Sequence, residues 1–307
     1  MMEKMKIIDA HVHAVEQIAG LCRRGELRGV GGGRARWANG EEMTLIPEGC
    51  GDRDFTGEAI LRLLDAHGVE KAVLLQGSMY GFQNLYTAQL CRKYPGRFAG
   101  AGTVDPFMRD WESVLGHLFD GEGLRILKFE VSSGGGLMGY HPPFALDGPA
   151  MEGPLAFAAE RGATVAFDIG DCTMESYQPQ ALRRIALRYP RMKLVVCHLL
   201  APLPGREEQL KRDLSLLSLP NVWFDLAALP IIPQVQPYPF AGALRAVAAA
   251  REIVGAEKLI WGTDSPLGAA LVPYGEHIRY LKESGVFTGR ELSLVFYQNA
   301  QAVYFGG

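Results

Sequence analysis

The chain has 307 residues, of which 48% are hydrophobic, so it can bury a large core, and one closed α/β barrel of about 250 residues with insertions accommodates it better than two average domains. A formal charge of -3 and a pI near 6.2 remove the electrostatic case for nucleic acid or an anionic membrane as the main partner and leave a small molecule. Five scattered cysteines (Cys22, Cys50, Cys91, Cys172, Cys197) without a C-x-x-C pair exclude a disulfide framework and a zinc knuckle, and fit a reducing compartment.

Met1-Met2-Glu3-Lys4-Met5 leads straight into a strand without an apolar signal region, and no stretch is long and apolar enough to span a bilayer. A cytoplasmic location is therefore expected. The first strand, Lys6 to Ala10, runs into Asp9-Ala10-His11-Val12-His13. Residues i and i+2 of a strand share a face, so both imidazoles can reach one point above the sheet, which is half of a divalent metal site. An isolated His-x-His is equally compatible with a surface turn.

Residues 14–55 then separate this strand from its helix, too long a connection for a βα loop without a function. The segment holds Gly31-Gly32-Gly33 and, between residues 23 and 36, five arginines (Arg23, Arg24, Arg28, Arg34, Arg36) against the single acid Glu26. Two readings stand: a flexible basic lid closing on a carboxylate-bearing substrate, or a solvated, partly disordered loop neutralised by Glu41, Glu42 and Glu48.

From Gly57 onward, helix-like and strand-like segments alternate. The further strands are expected at Lys71 to Leu75, Phe98 to Val104, Arg125 to Glu130, Thr164 to Asp168, Leu194 to Cys197, Val222 to Asp225 and Leu259 to Trp261. The helices between them stop at Gly68, at Gly162 and before Pro190, and Gly289 to Tyr304 reads as a closing helix. Eight βα units predict a (β/α)8 TIM-like barrel, one domain over 1–307 with an inserted loop at about 14–55.

In such barrels the polar residues at the C-terminal ends of strands face the active site. That position gives His11 and His13, Gln76, Asp105, Lys128 and Glu130, Asp168, His198, Asp225 and Asp264. For Gln76, Asp105 and Asp225 a hydrogen-bonding role at the barrel rim is the simpler reading, although Asp225 could instead touch substrate. Lys128 and Glu130 point the same way and could pair with each other or bind substrate. Ser132-Ser133-Gly134-Gly135-Gly136 lacks the Gly-Lys-Ser/Thr ending of a P-loop and reads as a mobile loop, from which His141 could reach the mouth. His67, His117 and His277 lie in helical patterns of the outer layer and receive no role.

Ile8-Asp9-Ala10-His11-Val12-His13, Tyr189-Pro190-x-x-Lys193-Leu194-Val195-Val196-Cys197-His198, Asn221-Val222-Trp223-Phe224-Asp225-Leu226, Trp261-Gly262-Thr263-Asp264-Ser265-Pro266 and the terminal Asn299-Ala300 fall in order on these strands. Together they resemble the amidohydrolase superfamily, within it the amidohydrolase-2 group of metal-dependent hydrolases and decarboxylases, over nearly the whole chain. The resemblance implies that His11 and His13 ligate one divalent metal, zinc first with manganese or iron also suited. It implies that Asp264 both touches the metal and takes a proton from bound water, and that His198 polarises a substrate carbonyl. A homodimer is also implied.

The chain departs from the family pattern at the fifth strand, where Asp168 occupies the usual histidine position. Asp168 can replace that histidine as a ligand, Glu130 can supply the missing bond, or the site can bind metal weakly or not at all. In the last case Asp264 as base, with His198 and Lys128 stabilising a carbonyl oxygen, still supports hydrolysis. The reading that follows is a metal-dependent hydrolase of an amide, lactone or ester of a small carboxylated molecule, with Lys128, Glu130 and His141 as substrate-binding residues. Its alternatives are a decarboxylase of an aromatic or dienoic acid, and an inactive barrel that serves as a binding protein.

Overall fold

Eight short apolar runs become the eight parallel strands of a nearly closed barrel. In the computed structural model, which describes residues 5–306, they are β1 (Ile8–Val12), β6 (Lys71–Leu74), β7 (Phe98–Gly102), β8 (Ile126–Glu130), β9 (Thr164–Asp168), β10 (Lys193–Val196), β11 (Val222–Asp225) and β12 (Leu259–Ile260), neighbours in that order. The expectation concerning a leader at Met1–Lys4 lies outside the described residues; among those described, no helix is long and apolar enough to cross a membrane.

All eight strands coincide with the expected ones to within a few residues. Ile8, Ala10, Val73, Ala101, Ile126, Ala166, Val195 and Ile260 form the barrel's inner core, small side chains alternating with branched ones where strands converge. The chain end does not continue as one α-helix: Gly289–Ser293 is followed by wider turns at Leu294–Gln298 and Gln301–Phe305. That last turn plugs the N-terminal end of the barrel. Gln301 Oε1 accepts from Lys71 Nζ at 2.8 Å, Ala302 O from Lys193 Nζ at 2.7 Å and Val303 O from Thr164 Oγ1 at 2.8 Å, all three donors at strand starts. With the bottom filled, a ligand enters from the opposite end.

The inserted segment is neither a structureless lid nor a disordered loop. It folds into an antiparallel four-stranded sheet, β2 (Ala19–Cys22), β3 (Gly25–Gly31), β4 (Arg34–Trp37) and β5 (Glu42–Thr44), paired in that order. Gly20, Cys22, Ala35 and Trp37 alternate inward while Ala19, Leu21, Arg34 and Arg36 face water. The reversal between β3 and β4 needs glycine, since Gly31, Gly32 and Gly33 have φ of 98°, 61° and 71°. Arg34 and Arg36 are both bound to Glu42 across the sheet, so much of the basic stretch is internally neutralised.

The seam between the first and last strands is closed by irregular backbone and by one acid. Ala10 N–H donates to Trp261 O (3.1 Å), His13 N–H to Ser265 O (2.7 Å) and Asp264 N–H to His11 O (2.9 Å). Asp9 is fully buried in this seam: Oδ1 accepts from the backbone N–H groups of Thr263 (2.9 Å) and His11 (3.3 Å), and Oδ2 from Thr263 Oγ1 (2.6 Å) and Tyr274 Oη (2.8 Å). Burial pushes its carboxyl up to about 6, with these hydrogen bonds opposing.

Asp9→Ala leaves two buried backbone N–H groups unpaired and is expected to destabilise the protein by about 2–5 kcal/mol in urea unfolding. Asp9→Asn is expected to be mild, because the amide oxygen keeps the backbone donors and both hydroxyls can rotate to accept from its NH2. A folded value above the unfolded one contributes stability below about pH 4 that is lost as pH rises through about 6. The stability difference between wild type and Asp9→Asn should therefore shift toward the variant over that window; a pH-independent difference would contradict this placement of Asp9.

Candidate active site

Register shifts in β1 between Asp9 and Val12, and beyond that point the His11 and His13 rings lie side by side, centroids 5.1 Å apart. Both face Asp264, which follows β12: His11 Nε2 and His13 Nε2 lie 3.5 and 3.1 Å from Asp264 Oδ1. Residues 251 positions or more apart in the chain thus meet at one oxygen. Asp264 is held in the left-handed region (φ 62°), a conformation costly for a non-glycine residue and frequent where geometry serves a site.

Asp225 at the end of β11 has the hydrogen-bonding role, but in the buried interior and not at the rim. It is completely buried, Oδ2 accepts from His11 Nδ1 (2.9 Å), and Oδ1 accepts from the backbone N–H groups of His198 (2.9 Å) and Ala227 (3.1 Å). Burial opposes its charge, but His11, His198 and these donors more than offset it and hold the carboxyl well below the usual range. A carboxylate at Nδ1 assigns the His11 proton to that nitrogen and turns the Nε2 lone pair toward Asp264. Burial, with Lys128 and His198 nearby, lowers His11 to about 4 against the pull of Asp225, so its ring is neutral at pH 7.

Among the described residues His11 Nε2 has no hydrogen-bond partner, so a bare lone pair faces a carboxylate oxygen. That pairing is repulsive unless something positive lies between. His11, His13 and Asp264 offer three donor atoms within 4.8 Å of one another, a group able to hold a metal ion, and the carboxylate–histidine link from Asp225 is the usual way such a ring is oriented. Asp168 is not brought into this trio. Its Oδ1 accepts from Gly170 N–H (2.9 Å) and its Oδ2 stands 3.8 Å from His198 Nε2.

His198 begins a run of four left-handed non-glycine residues, His198, Leu199, Leu200 and Ala201 (φ 56°, 50°, 64° and 45°). Such residues cost about 1–2 kcal/mol each, and the turn persists with its first N–H fixed by Asp225 and its ring Nδ1 donating to Ala227 O (3.1 Å). The ring stacks on His11 with centroids 4.8 Å apart, and its Nε2 stands 3.8 Å from Asp168 Oδ2. Burial disfavours its charge, yet Asp168, Asp264 and Asp225 outweigh that and raise its pKa.

Lys128 lies buried in the barrel, with no carboxylate within 4.0 Å among the described residues; burial opposes its charge, and Cys197, Asp168, Glu130 and Asp225 together drive its pKa above the ordinary value. It does not pair with Glu130, whose carboxyl burial and Asp168 raise to about 8, with Lys128 opposing. His141 is tied to Asp105 (Nε2 to Oδ2, 2.6 Å) at the rim, and Gln76 donates to Ala101 O (2.6 Å), a structural contact. A separate cavity of about 400 Å³ beside the helices Glu207–Leu216 and Ala241–Val254 contains none of these groups.

Asp9, Asp225 and Asp168 acquire meanings that strand-end position alone does not reveal. For Asp225 a signal existed: it ends an apolar run and precedes another apolar residue, the pattern of a buried acid that needs buried donors.

The fold has counterparts among known proteins. The chain is 25% identical over 269 residues, 83% of each sequence, to L-fucono-1,5-lactonase of Burkholderia ambifaria. Its fold is similar to that of a probable 2-pyrone-4,6-dicarboxylic acid hydrolase from Acinetobacter baumannii solved with citric acid bound (21% identity, TM-score 0.70, 97% of this chain and 99% of that one). It is also similar to an amidohydrolase from Burkholderia multivorans solved with bound zinc (17% identity, TM-score 0.66, 82% and 89% covered). The family model described as amidohydrolase matches residues 8–306. With eight parallel strands and that match across nearly its whole length, the chain belongs to the amidohydrolase family.

Proposed function

We propose that the protein is a metal-dependent hydrolase of a small carboxylated lactone, ester or amide, with a lactone as the first choice given its 25% identity to a lactonase. One observation carries the proposal: His11 Nε2, fixed as a bare lone pair by Asp225, converges with His13 Nε2 on Asp264 Oδ1. His11, His13 and Asp264 would hold one divalent cation; two neutral imidazoles and one carboxylate suit zinc and leave a coordination position open. A bound divalent cation polarises oxygen and eases water deprotonation.

The chain's own groups supply the rest. Asp264, its carboxyl kept below the usual range by the His13 hydrogen bond and the neighbouring imidazoles despite burial, is ionised and takes a proton as water attacks the carbonyl carbon. His198, aimed by Ala227 O and with its protonated form favoured by Asp168, Asp264 and Asp225, donates from Nε2 to the carbonyl oxygen as negative charge develops there. Buried Lys128 adds a positive field from the barrel floor. When the carbonyl re-forms and the ring C–O bond breaks, the proton held by Asp264 passes to the departing oxygen, giving the hydroxy acid. We assign Asp168 to keeping His198 protonated, since it stands beside that ring and outside the trio.

A decarboxylase reading has one observation in its favour: Glu130, raised to about 8, is largely protonated at neutral pH and could deliver a proton to carbon. Product analysis separates the two. We expect a hydroxy acid from a carboxylated δ-lactone and no carbon dioxide from aromatic acids; carbon dioxide release without lactone opening would reverse the assignment. Homodimer assembly and a cytoplasmic location remain part of the proposal, testable by light scattering and fractionation.

A further inference from the structure

β8 ends in Glu130, and the fold makes room for its carboxyl. Ile126, Leu127, Lys128 and Phe129 are buried, whereas Glu130 is only partly so. A Cβ on Gly77 would overlap Glu130 Oε2, and one on Gly135 would stand 2.8 Å from Oε1. Neither glycine has a positive φ, so the approach of this carboxyl, and not a turn, requires a residue without a side chain at both positions.

The carboxyl stands beside the reaction centre. Glu130 is the register partner of Asp168 on the neighbouring strand, Asp168 Oδ2 lies 3.8 Å from His198 Nε2, and the His198 ring stacks on that of His11 at 4.8 Å. Neighbouring strands are about 4.8 Å apart, so about 10 Å separates Glu130 from the strand leading into His198, a gap that a six-membered lactone bridges with a hydrogen bond at each end. Among the described residues neither Glu130 oxygen has a hydrogen-bond partner or a cation within 4.0 Å. Burial and Asp168, with Lys128 opposing, keep the group largely protonated at neutral pH, so it both donates and accepts. That is the complement of a hydroxyl, and an uncharged partner suits a wall where Asp168 already stands.

We propose that Glu130 is a specificity-determining residue whose carboxyl hydrogen-bonds a hydroxyl on the ring of the lactone that presents its carbonyl to His198. The proposal rests on the hydrolase reading above and adds a ring hydroxyl to its substrate class. It gives Glu130 a part in binding and none in bond breaking.

The test uses the full chain with a carboxylated δ-lactone and its analogues bearing one added hydroxyl at each free ring carbon in turn. Wild type should prefer one hydroxylated analogue over the parent by at least about tenfold in kcat/KM. Glu130→Leu should remove that preference, chiefly through KM, and change the parent by less than about twofold; Glu130→Gln, which keeps a donor and an acceptor, should retain it. Gly135→Ala, which crowds the carboxyl without removing it, should reproduce the loss and serves if Glu130→Leu does not fold. No preferred analogue in wild type, equal losses on parent and hydroxylated lactone, or a preference that survives these two substitutions would overturn the proposal. Calorimetric binding of the corresponding δ-lactams, with and without the hydroxyl, gives a readout independent of turnover. Tighter binding of one hydroxylated lactam by wild type, lost in Glu130→Leu, without hydrolysis of any lactone would keep the subsite and reject the hydrolase. Equal binding of hydroxylated and parent lactams by wild type would reject the subsite.

Discussion

Asp264→Asn should reduce kcat/KM by about 10²–10⁴-fold while leaving the far-ultraviolet circular dichroism unchanged. Among the described residues, Asp264 is the one carboxylate in contact with both β1 imidazoles, and no second carboxylate has an oxygen in this three-donor group. The amide has nearly the same shape and cannot take a proton from water at neutral pH. It also removes the negative charge from the donor set, so metal content should fall with activity. A variant that keeps its metal but loses turnover would isolate the proton-transfer role. Activity within tenfold of wild type would remove Asp264 from the mechanism.

Asp225→Asn should weaken metal retention by about 10–100-fold, measured by competition with a chromophoric chelator. The asymmetry of an amide explains the size of the effect. Asp225 accepts on both oxygens, from His11 on one and from the His198 and Ala227 backbone on the other. An amide can serve only one side. If its NH2 turns to His11, that ring must move its proton to Nε2 and loses the donor lone pair; if it turns to the backbone, two buried N–H groups face another donor. Unaltered metal affinity in a folded Asp225→Asn protein would show that Asp225 does not set the His11 tautomer.

The strands were legible because both faces of a barrel strand are covered, so continuous apolar runs mark them, and the strand-end rule then collected His11, His13, His198 and Asp264 correctly into one region. The insert was not legible as a sheet. Its strands are short, each contributes one or two inward side chains such as Leu27 or Trp37, and its glycines serve turns, which in sequence look the same as loop glycines. Asp168 shows another limit. Strand order puts it at the position of a ligand, but whether a carboxylate reaches a metal or a neighbouring ring depends on a few ångströms of side-chain reach; here Oδ1 accepts from Gly170 N–H and Oδ2 stands 3.8 Å from His198 Nε2. The closing helix at Gly289 to Tyr304 was predicted as continuous because its apolar spacing fits a helix, while the chain's need to plug the barrel widens its turns.

On the proposed mechanism, hydrolysis depends on a divalent ion held by His11, His13 and Asp264. Elemental analysis of purified protein, wild type beside His13→Ala, with lactone turnover measured on the same samples, tests it most directly. We expect about one zinc, manganese or iron per wild-type chain, a content well below that in His13→Ala, and activity that follows the metal through chelation and re-addition. Wild-type protein that hydrolyses lactones at full rate after its metal has been removed would contradict the account.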